Sequence, residues 1–122
     1  MHEFSLVKSL LRQVVDIAEQ HHAACVQEVR IEIGPLTGVE NILVQEAFEL
    51  LASEYVSSDC RLIIVEVPLQ GVCDSCKKSI VIQDFRFQCA ACGSSNIHIT
   101  GGDTFRLLDV TIDTESLLET RE

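Results

Sequence analysis

The feature that most constrains this chain is a pair of Cys-x-x-Cys motifs separated by twelve residues. Four thiolates at this spacing can converge on one tetrahedral metal ion, and zinc is the ion that such sites usually hold. We therefore expect residues 70–101 to form a small zinc-ribbon-like module that is closed by its metal. The four predicted zinc ligands are Cys73, Cys76, Cys89 and Cys92.

Two other interpretations of the cysteines fit the sequence less well. A secreted disulfide scaffold is disfavoured because the first ten residues contain His2, Glu3 and Lys8 and lack the apolar run of a signal peptide. A thioredoxin-like dithiol normally occurs once, at the start of a helix, and not as two coupled copies. No stretch approaches the roughly 18 apolar residues of a membrane span. We expect a cytoplasmic protein in which Cys25 and Cys60 are reduced.

The charge of the chain narrows the classes of function. Its 122 residues carry a formal net charge of -10, whereas nucleic-acid binding requires a basic patch that replaces counterions on the phosphates. We expect no nucleic-acid partner, and the charge favours either a partner with a basic face or simple solubility. A Gly-rich phosphate loop and a recognisable acid–base set are both missing from the sequence, so we do not expect an enzyme.

Apolar residues recur at helical spacing in two segments. The first covers about residues 4–22 and carries its charged residues mostly on the opposite face. The second covers about residues 41–55, with Asn41 as its expected N-cap. Its expected buried face consists of Leu43, Ala47, Phe48, Leu50 and Leu51.

Three segments have the alternation or the β-branched composition of strands, at about 29–33, 61–67 and 104–112. The strand–helix–strand order of the first two predicts parallel pairing with a right-handed crossover, and the third strand is expected to pair antiparallel. Its apolar phase slips between Leu107 and Leu108, which predicts a bulge or a strand buried on both faces. The acidic tail from residue 113 onward is expected to be frayed or to form a short helix.

These elements together predict an α+β fold, in which two helices pack on a small three-stranded mixed sheet and the four-cysteine zinc module is an insertion. The predicted domains are a helix–sheet domain, residues 1–69 with 102–122, and the zinc module, residues 70–101. Monomer and dimer both stay open, because the long excursion before the last strand permits strand exchange between chains.

The first three residues, Met1-His2-Glu3, are rich in nitrogen donors. A free terminal amine, the His2 imidazole and the neighbouring backbone amides offer up to four nitrogens, and such a planar set suits Ni(II) or Cu(II). The alternative is that His2 is uncommitted and that Glu3 only complements the positive end of the first helix. The residue types alone leave both interpretations open.

Several segments resemble the HypA/HybF family of nickel chaperones, which act in the maturation of [NiFe]-hydrogenases. The opening Met1–Leu6 (MHEFSL) looks like the N-terminus of that family, and Glu32–Leu36 (EIGPL) resembles its sequence after the first strand. The paired cysteine motifs and Gly102–Phe105 (GDTF) are similar to its second half. The resemblance covers about residues 1–112, and Phe4 stands where the family usually has an aliphatic residue.

The resemblance implies a nickel metallochaperone that helps to insert nickel into the [NiFe]-hydrogenase large subunit and works with a HypB-type GTPase. It implies transferable Ni(II) at the N-terminus, with His2 as the essential ligand beside the amine of Met1 and the amide of Glu3. It also implies that zinc at the four cysteines is structural.

Two alternatives remain beside this interpretation. His98 is a candidate additional metal ligand, although four thiolates already saturate a tetrahedral zinc and an exposed histidine is the simpler interpretation. The alternative function is a zinc-ribbon scaffold for protein interaction that carries no transferable metal.

Overall fold

The computed structural model describes residues 2–114 and has an α+β fold, as the sequence predicts. Met1, as a predicted nickel ligand, and the expectation for the tail after residue 114 lie outside the described residues. The elements are α1 (His2–Gln20), β1 (Cys25–Ile33), a 3-10 turn (Pro35–Thr37), α2 (Asn41–Tyr55), β2 (Arg61–Glu66), β3 (Leu69–Cys73), β4 (Ser79–Ile82), β5 (Ile97–Gly101) and β6 (Phe105–Asp113).

The first sheet is three-stranded and mixed, with the strand order β2-β1-β6. The N–H of Ala24 donates to the carbonyl of Asp113 at 2.8 Å, and the N–H of Gly34 donates to the carbonyl of Thr104 at 2.9 Å. Because these two bonds flank opposite ends of β1, strands β1 and β6 run antiparallel. The alternation of exposure along β6 breaks at Leu107 and Leu108, which are both half-buried.

The chain divides into two compact units. Among the described residues, the first unit comprises 2–31, 39–64 and 107–114, and the second comprises 32–38 and 65–106. The domain boundaries expected from the sequence stay a prediction.

The core of the first unit is built from helix and strand residues at the spacings that these structures impose. Helix α1 buries Val7, Leu10, Leu11 and Val14, which recur at intervals of three and four residues. Strand β1 buries side chains of alternating residues toward the same core. The buried residues that β1 contributes to this unit are Val26, Val29 and Ile31.

Helix α2 contributes a different face from the one expected. Leu43 and Leu50 are exposed, the latter by 70%, so their prediction as core residues is wrong. The buried residues are Val44, Ala47, Phe48, Leu51 and Ala52. The segment is apolar on more than one side, and for this reason the apolar pattern alone did not identify the buried stripe.

The second unit contains a sheet that the sequence did not predict. Its order is β4-β3-β5, and β3 pairs antiparallel with both neighbours. Gln70 stands opposite Gly101, while Leu69 stands opposite Ile82. The first cysteine motif lies at the connection from β3 to β4, and the second lies in the connection from β4 to β5.

Two loops of the second unit approach each other so closely that only glycine fits. A Cβ atom on Gly34 would lie 2.2 Å from the carbonyl carbon and oxygen of Gly102, which itself has a φ of 93°. The N–H of Leu36 also donates to the carbonyl of Gly102. The loop after β1 is thereby joined to the loop before β6.

No helix of residues 2–114 is long and apolar enough to cross a membrane.

Candidate metal centre

The four cysteines of the two motifs bring their sulfur atoms into one cluster. All four Sγ atoms lie within 4.8 Å of one another. Two of these distances cross between the motifs, 3.5 Å from Cys73 to Cys92 and 3.6 Å from Cys76 to Cys89. These separations exceed the roughly 2 Å of a disulfide, so the thiols are free.

The donor set fits a single four-coordinate ion. With metal–sulfur bonds of about 2.3 Å, the edges of a tetrahedral tetrathiolate site measure roughly 3.8 Å, close to the two sulfur–sulfur distances between the motifs. Cys73 and Cys89 are almost wholly buried, whereas Cys92 is exposed. A bound ion would therefore be covered mainly by the first cysteine of each motif.

Each motif is a tight turn with the same backbone pattern. The N–H of Lys77 donates to the carbonyl of Cys73 at 2.7 Å, and the N–H of Gly93 donates to the carbonyl of Cys89 at 2.7 Å. Both donors stand directly after the second cysteine of their motif and are left-handed, with φ of 67° and 77°. The turns aim two sulfurs from each motif at the same point.

Hydrogen bonds outside the cluster hold the two motifs together. The hydroxyl of Ser75 donates to the hydroxyl of Ser94 at 2.9 Å. The N–H of Asp74 donates to the carbonyl of Asn96 at 2.8 Å. These contacts fix the second layer around the sulfurs, which is the layer that orients ligands in metal sites.

The electrostatics of the cluster favour a cation. The N–H of Cys76, more than the neighbouring sulfur of Cys92, lowers the pKa of Cys73 to about 6. The N–H of Ser94 has the largest single effect on the pKa of Cys92 and lowers it. The sulfur of Cys73, burial, and the sulfurs of Cys89 and Cys76 together outweigh it and raise that pKa to about 12. Four thiolates this close repel one another, so ionisation of the whole set requires a compensating metal ion.

At the other predicted site, the structure places His2 and Glu3 at the start of α1. His2 is exposed, whereas the side chain of Glu3 is buried. Its Oε2 atom accepts a hydrogen bond of 3.1 Å from the N–H of Glu40. That N–H, followed by the N–H of Glu3 itself, holds the pKa of the Glu3 carboxyl below its ordinary value.

This contact corrects the expected start of α2. Asn41 is the first helical residue and not the N-cap, which is Glu40, and the Glu40 side chain makes no capping bond. The carboxylate of Glu3 satisfies the Glu40 N–H from another helix. Capping propensity favours Asn as an N-cap, but the two partners lie 37 positions apart in the sequence, so no local sequence pattern reveals this contact.

His98 lies on β5, opposite Val72 of β3, and is exposed. Within the described part of the chain, the group of clustered ligand atoms consists of the four cysteines and does not include His98. Its role as an additional ligand stays a prediction.

The chain is similar to hydrogenase maturation proteins along most of its length. The profile of the family described as "Hydrogenase/urease nickel incorporation, metallochaperone, hypA" matches residues 1–112. "Hydrogenase maturation factor HypA" of Cereibacter sphaeroides is 34% identical over 112 residues, which are 92% of this chain and 99% of the relative. The protein of the same name from Nitrosospira multiformis is 33% identical over 114 residues, 93% and 99% of the two chains.

Two solved structures share the fold. "Solution structure of HypA protein" superposes with a TM-score of 0.72 at 30% identity and covers 94% of this chain and 98% of the other. "Solution structure of the Ni metallochaperone HypA from Helicobacter pylori" superposes with a TM-score of 0.66 at 29% identity, covering 93% and 98%. Sequence, fold and the four-cysteine cluster agree, and this chain belongs to the HypA family of hydrogenase/urease nickel-incorporation metallochaperones.

Proposed function

We propose that this protein binds Ni(II) at its N-terminus and helps to insert it into the [NiFe]-hydrogenase large subunit. Membership of the HypA family is the observation that carries the proposal. The proposed nickel ligands are the amine of Met1, the imidazole and amide of His2, and the amide of Glu3. Nickel is the cargo in this scheme, so its site must hold it and also release it.

The first turn of α1 supports backbone ligands at this end of the chain. The first four N–H groups of a helix have no acceptor within the helix, and those of His2 and Glu3 are among them. The carboxylate of Glu3 accepts hydrogen bonds from the N–H of Glu40 and from its own N–H, so the proposal assigns the nickel-binding role to the amide of Glu3 and not to the carboxylate. The exposed imidazole of His2 can approach the same metal ion without moving the core.

We further propose that the four-cysteine cluster holds zinc and that this zinc is structural. Thiolate ligands favour zinc, and four of them leave no open position for substrate or transfer. The hydrogen bonds around the motifs and the burial of Cys73 and Cys89 describe a closed site. Zinc would thus stabilise the second sheet while nickel is handled elsewhere.

The proposed setting is the cytoplasm, with a HypB-type GTPase as partner and no catalytic activity of this protein itself. Helix α2 supports a partner with a basic face, because it carries no lysine or arginine. Its three glutamates, Glu46, Glu49 and Glu54, lie on the same helix without a compensating cation beside them in its sequence. A basic surface on the partner would be attracted to this helix.

Nickel titration of the untagged, zinc-loaded protein tests the N-terminal site. We expect His2→Ala to abolish the tight site, and an N-terminal Gly-Ser extension to do the same because it removes the chelating amine. The matched control is His98→Ala, which removes another exposed imidazole and should leave affinity unchanged. Affinity should fall as the pH falls, because amine, imidazole and amides bind nickel only after losing protons.

The result also separates the chaperone from the scaffold. X-ray absorption of the nickel-loaded protein should show nitrogen ligands and a planar geometry. Equal affinity of the native, His2→Ala and extended chains would refute the N-terminal site. Stoichiometric zinc without any planar nickel species would favour a zinc-ribbon interaction scaffold.

A further inference from the structure

The twelve residues between the two cysteine motifs, 77–88, expose apolar side chains to solvent. Val81 is 55% exposed, Phe85 56% and Phe87 39%. Three large exposed apolar side chains within one short segment are candidates for a contact with another molecule. We use the name inter-motif surface for six residues of this segment: Lys77, Lys78, Val81, Phe85, Arg86 and Phe87.

Phe85 lies in a turn whose backbone suits other residues. Asp84 and Phe85 have φ of 54° and 55°, and the N–H of Arg86 donates to the carbonyl of Gln83 at 3.0 Å. Such a turn favours Asn-Gly, and a bulky residue with positive φ is strained there. Burial of the ring does not offset this strain, since more than half of Phe85 is exposed, and strain of this kind is characteristic of functional positions.

The charge of the second sheet and its motifs differs from that of the remaining chain. Residues 69–101 hold three of the nine basic residues but only two of the nineteen acidic ones. Lys77, Lys78 and Arg86 are all exposed. None of them is in a salt bridge with another residue of the described chain, whereas three arginines of β1, β2 and β6 are. The segment 77–88 therefore offers three exposed cations against one acidic residue, Asp84, and two exposed phenyl rings.

We propose that the inter-motif surface binds an acidic, apolar segment of a partner protein. Carboxylates of that segment would meet Lys77, Lys78 and Arg86, while its apolar side chains would cover Phe85 and Phe87. The proposal goes beyond nickel binding, because it concerns a protein contact at the other metal centre.

Two observations favour a protein segment over a nucleic acid, which also carries negative charge. Three cations are few for a phosphate backbone, whose binding depends on many basic residues that each replace a counterion. In addition, β4, which contains Val81, is a terminal strand in the order β4-β3-β5. An extended peptide adds to such an edge through main-chain hydrogen bonds.

Fluorescence anisotropy of the zinc-loaded protein with labelled peptides tests the proposal. The probe is a short peptide of glutamate, leucine and serine, and its matched control has lysine in place of glutamate. We expect the acidic peptide to bind at least about tenfold more tightly than the basic one, and to weaken as salt rises. Phe85→Ser should weaken binding about fivefold or more, as expected for the loss of an apolar anchor.

A charge reversal on the inter-motif surface tests the role of the cations, and variants on the first unit are its matched controls. Arg86→Glu should weaken binding of the acidic peptide about threefold or more, while Arg12→Glu, a reversal of an exposed cation on α1, should not. Leu50→Ser removes an exposed apolar side chain from α2 and should likewise have no effect. Zinc content and circular dichroism of every variant exclude loss of the fold as the cause.

Three outcomes with the peptides and one with a nucleic acid would overturn the proposal. The first is binding of the basic peptide as tight as that of the acidic one, and the second is no binding of the acidic peptide to the native protein. The third is a loss of binding in the control variants as large as that in Phe85→Ser and Arg86→Glu. Tighter binding of single-stranded oligo(dT) than of the acidic peptide would reassign the surface to nucleic acid.

Discussion

The residue after the second cysteine of each motif provides a test of how chain conformation sets metal affinity. Lys77 and Gly93 occupy equivalent left-handed positions, with φ of 67° and 77°. We predict that, at both positions, the protein with glycine binds the metal more tightly than the protein with alanine. Native Gly93 should thus bind more tightly than Gly93→Ala, and Lys77→Gly more tightly than Lys77→Ala.

The expected size follows from the backbone alone. A left-handed conformation costs a residue with a Cβ atom about 1–2 kcal/mol. Glycine gives the unfolded chain more conformational freedom than alanine does, and this reduces the advantage of glycine by about 0.4–1 kcal/mol. The net difference is about 1 kcal/mol, and a Cβ at Gly93 adds no clash because its nearest neighbour is Gln88 Nε2 at 4.0 Å.

If the module folds only as it takes up its metal, this free energy appears in the dissociation constant. About 1 kcal/mol corresponds to roughly a fivefold change in affinity. Competition with a chromophoric zinc chelator at fixed pH measures it for each of the variants and the native protein. Alanine is the reference at position 77 because Lys77→Ala removes the charge while keeping the strained backbone.

Equal affinities of the glycine and alanine proteins at both positions would refute the reasoning. They would show that the turns are not held left-handed when the metal is bound, or that the module is folded without it. An alanine protein that binds more tightly than its glycine counterpart would refute it more directly.

Two further predictions concern the first unit. The pKa of the Glu3 carboxyl lies below its ordinary 4.5, so the ionised carboxylate stabilises the fold above that pH, and this effect is lost as the pH falls through the folded pKa. Glu3→Gln should therefore lower the Tm at pH 7 and leave it nearly unchanged in strong acid. An equal loss of Tm at both pH values would contradict this reasoning. In the metal-loaded protein, Ellman's reagent should find one fast thiol, the exposed Cys25, because burial first and then the charge of Glu28 raise the pKa of Cys60 to about 11. Cys25→Ser should abolish the fast phase and Cys60→Ser should preserve it.

The helices and the first sheet were predictable because their signals are local. In α1 and β1 the apolar period matches the period of the structure over many residues. Strands β3, β4 and β5 have only four or five residues each and were missed. Their pairing joins residues as distant as Gln70 and Gly101, so it arises from the return of the chain and not from local propensity.

At the two candidate metal sites, too, the local features were predictable from the sequence and the long-range contacts were not. All four cysteines lie within 20 consecutive residues, so their spacing alone indicated a cluster. The contact of Glu3 with Glu40 joins two helices, and neither residue type signals the other. Asn41 had the better capping propensity, but the neighbouring N–H was satisfied by tertiary structure, which overrides propensity.

The antiparallel pairing of β6 with β1, reinforced where Gly34 meets Gly102, has a consequence for the order of folding. About 70 residues separate the two strands, and closing so long a loop is entropically costly. Because β3 and β5 bring Gln70 beside Gly101, prior folding of the metal-bound module would leave roughly 40 residues to close and lower the cost by about 0.5 kcal/mol. Metal loading should then accelerate the last step of folding about twofold. The metal-bound module would thus shorten the loop that has to close before β6 can pair with β1.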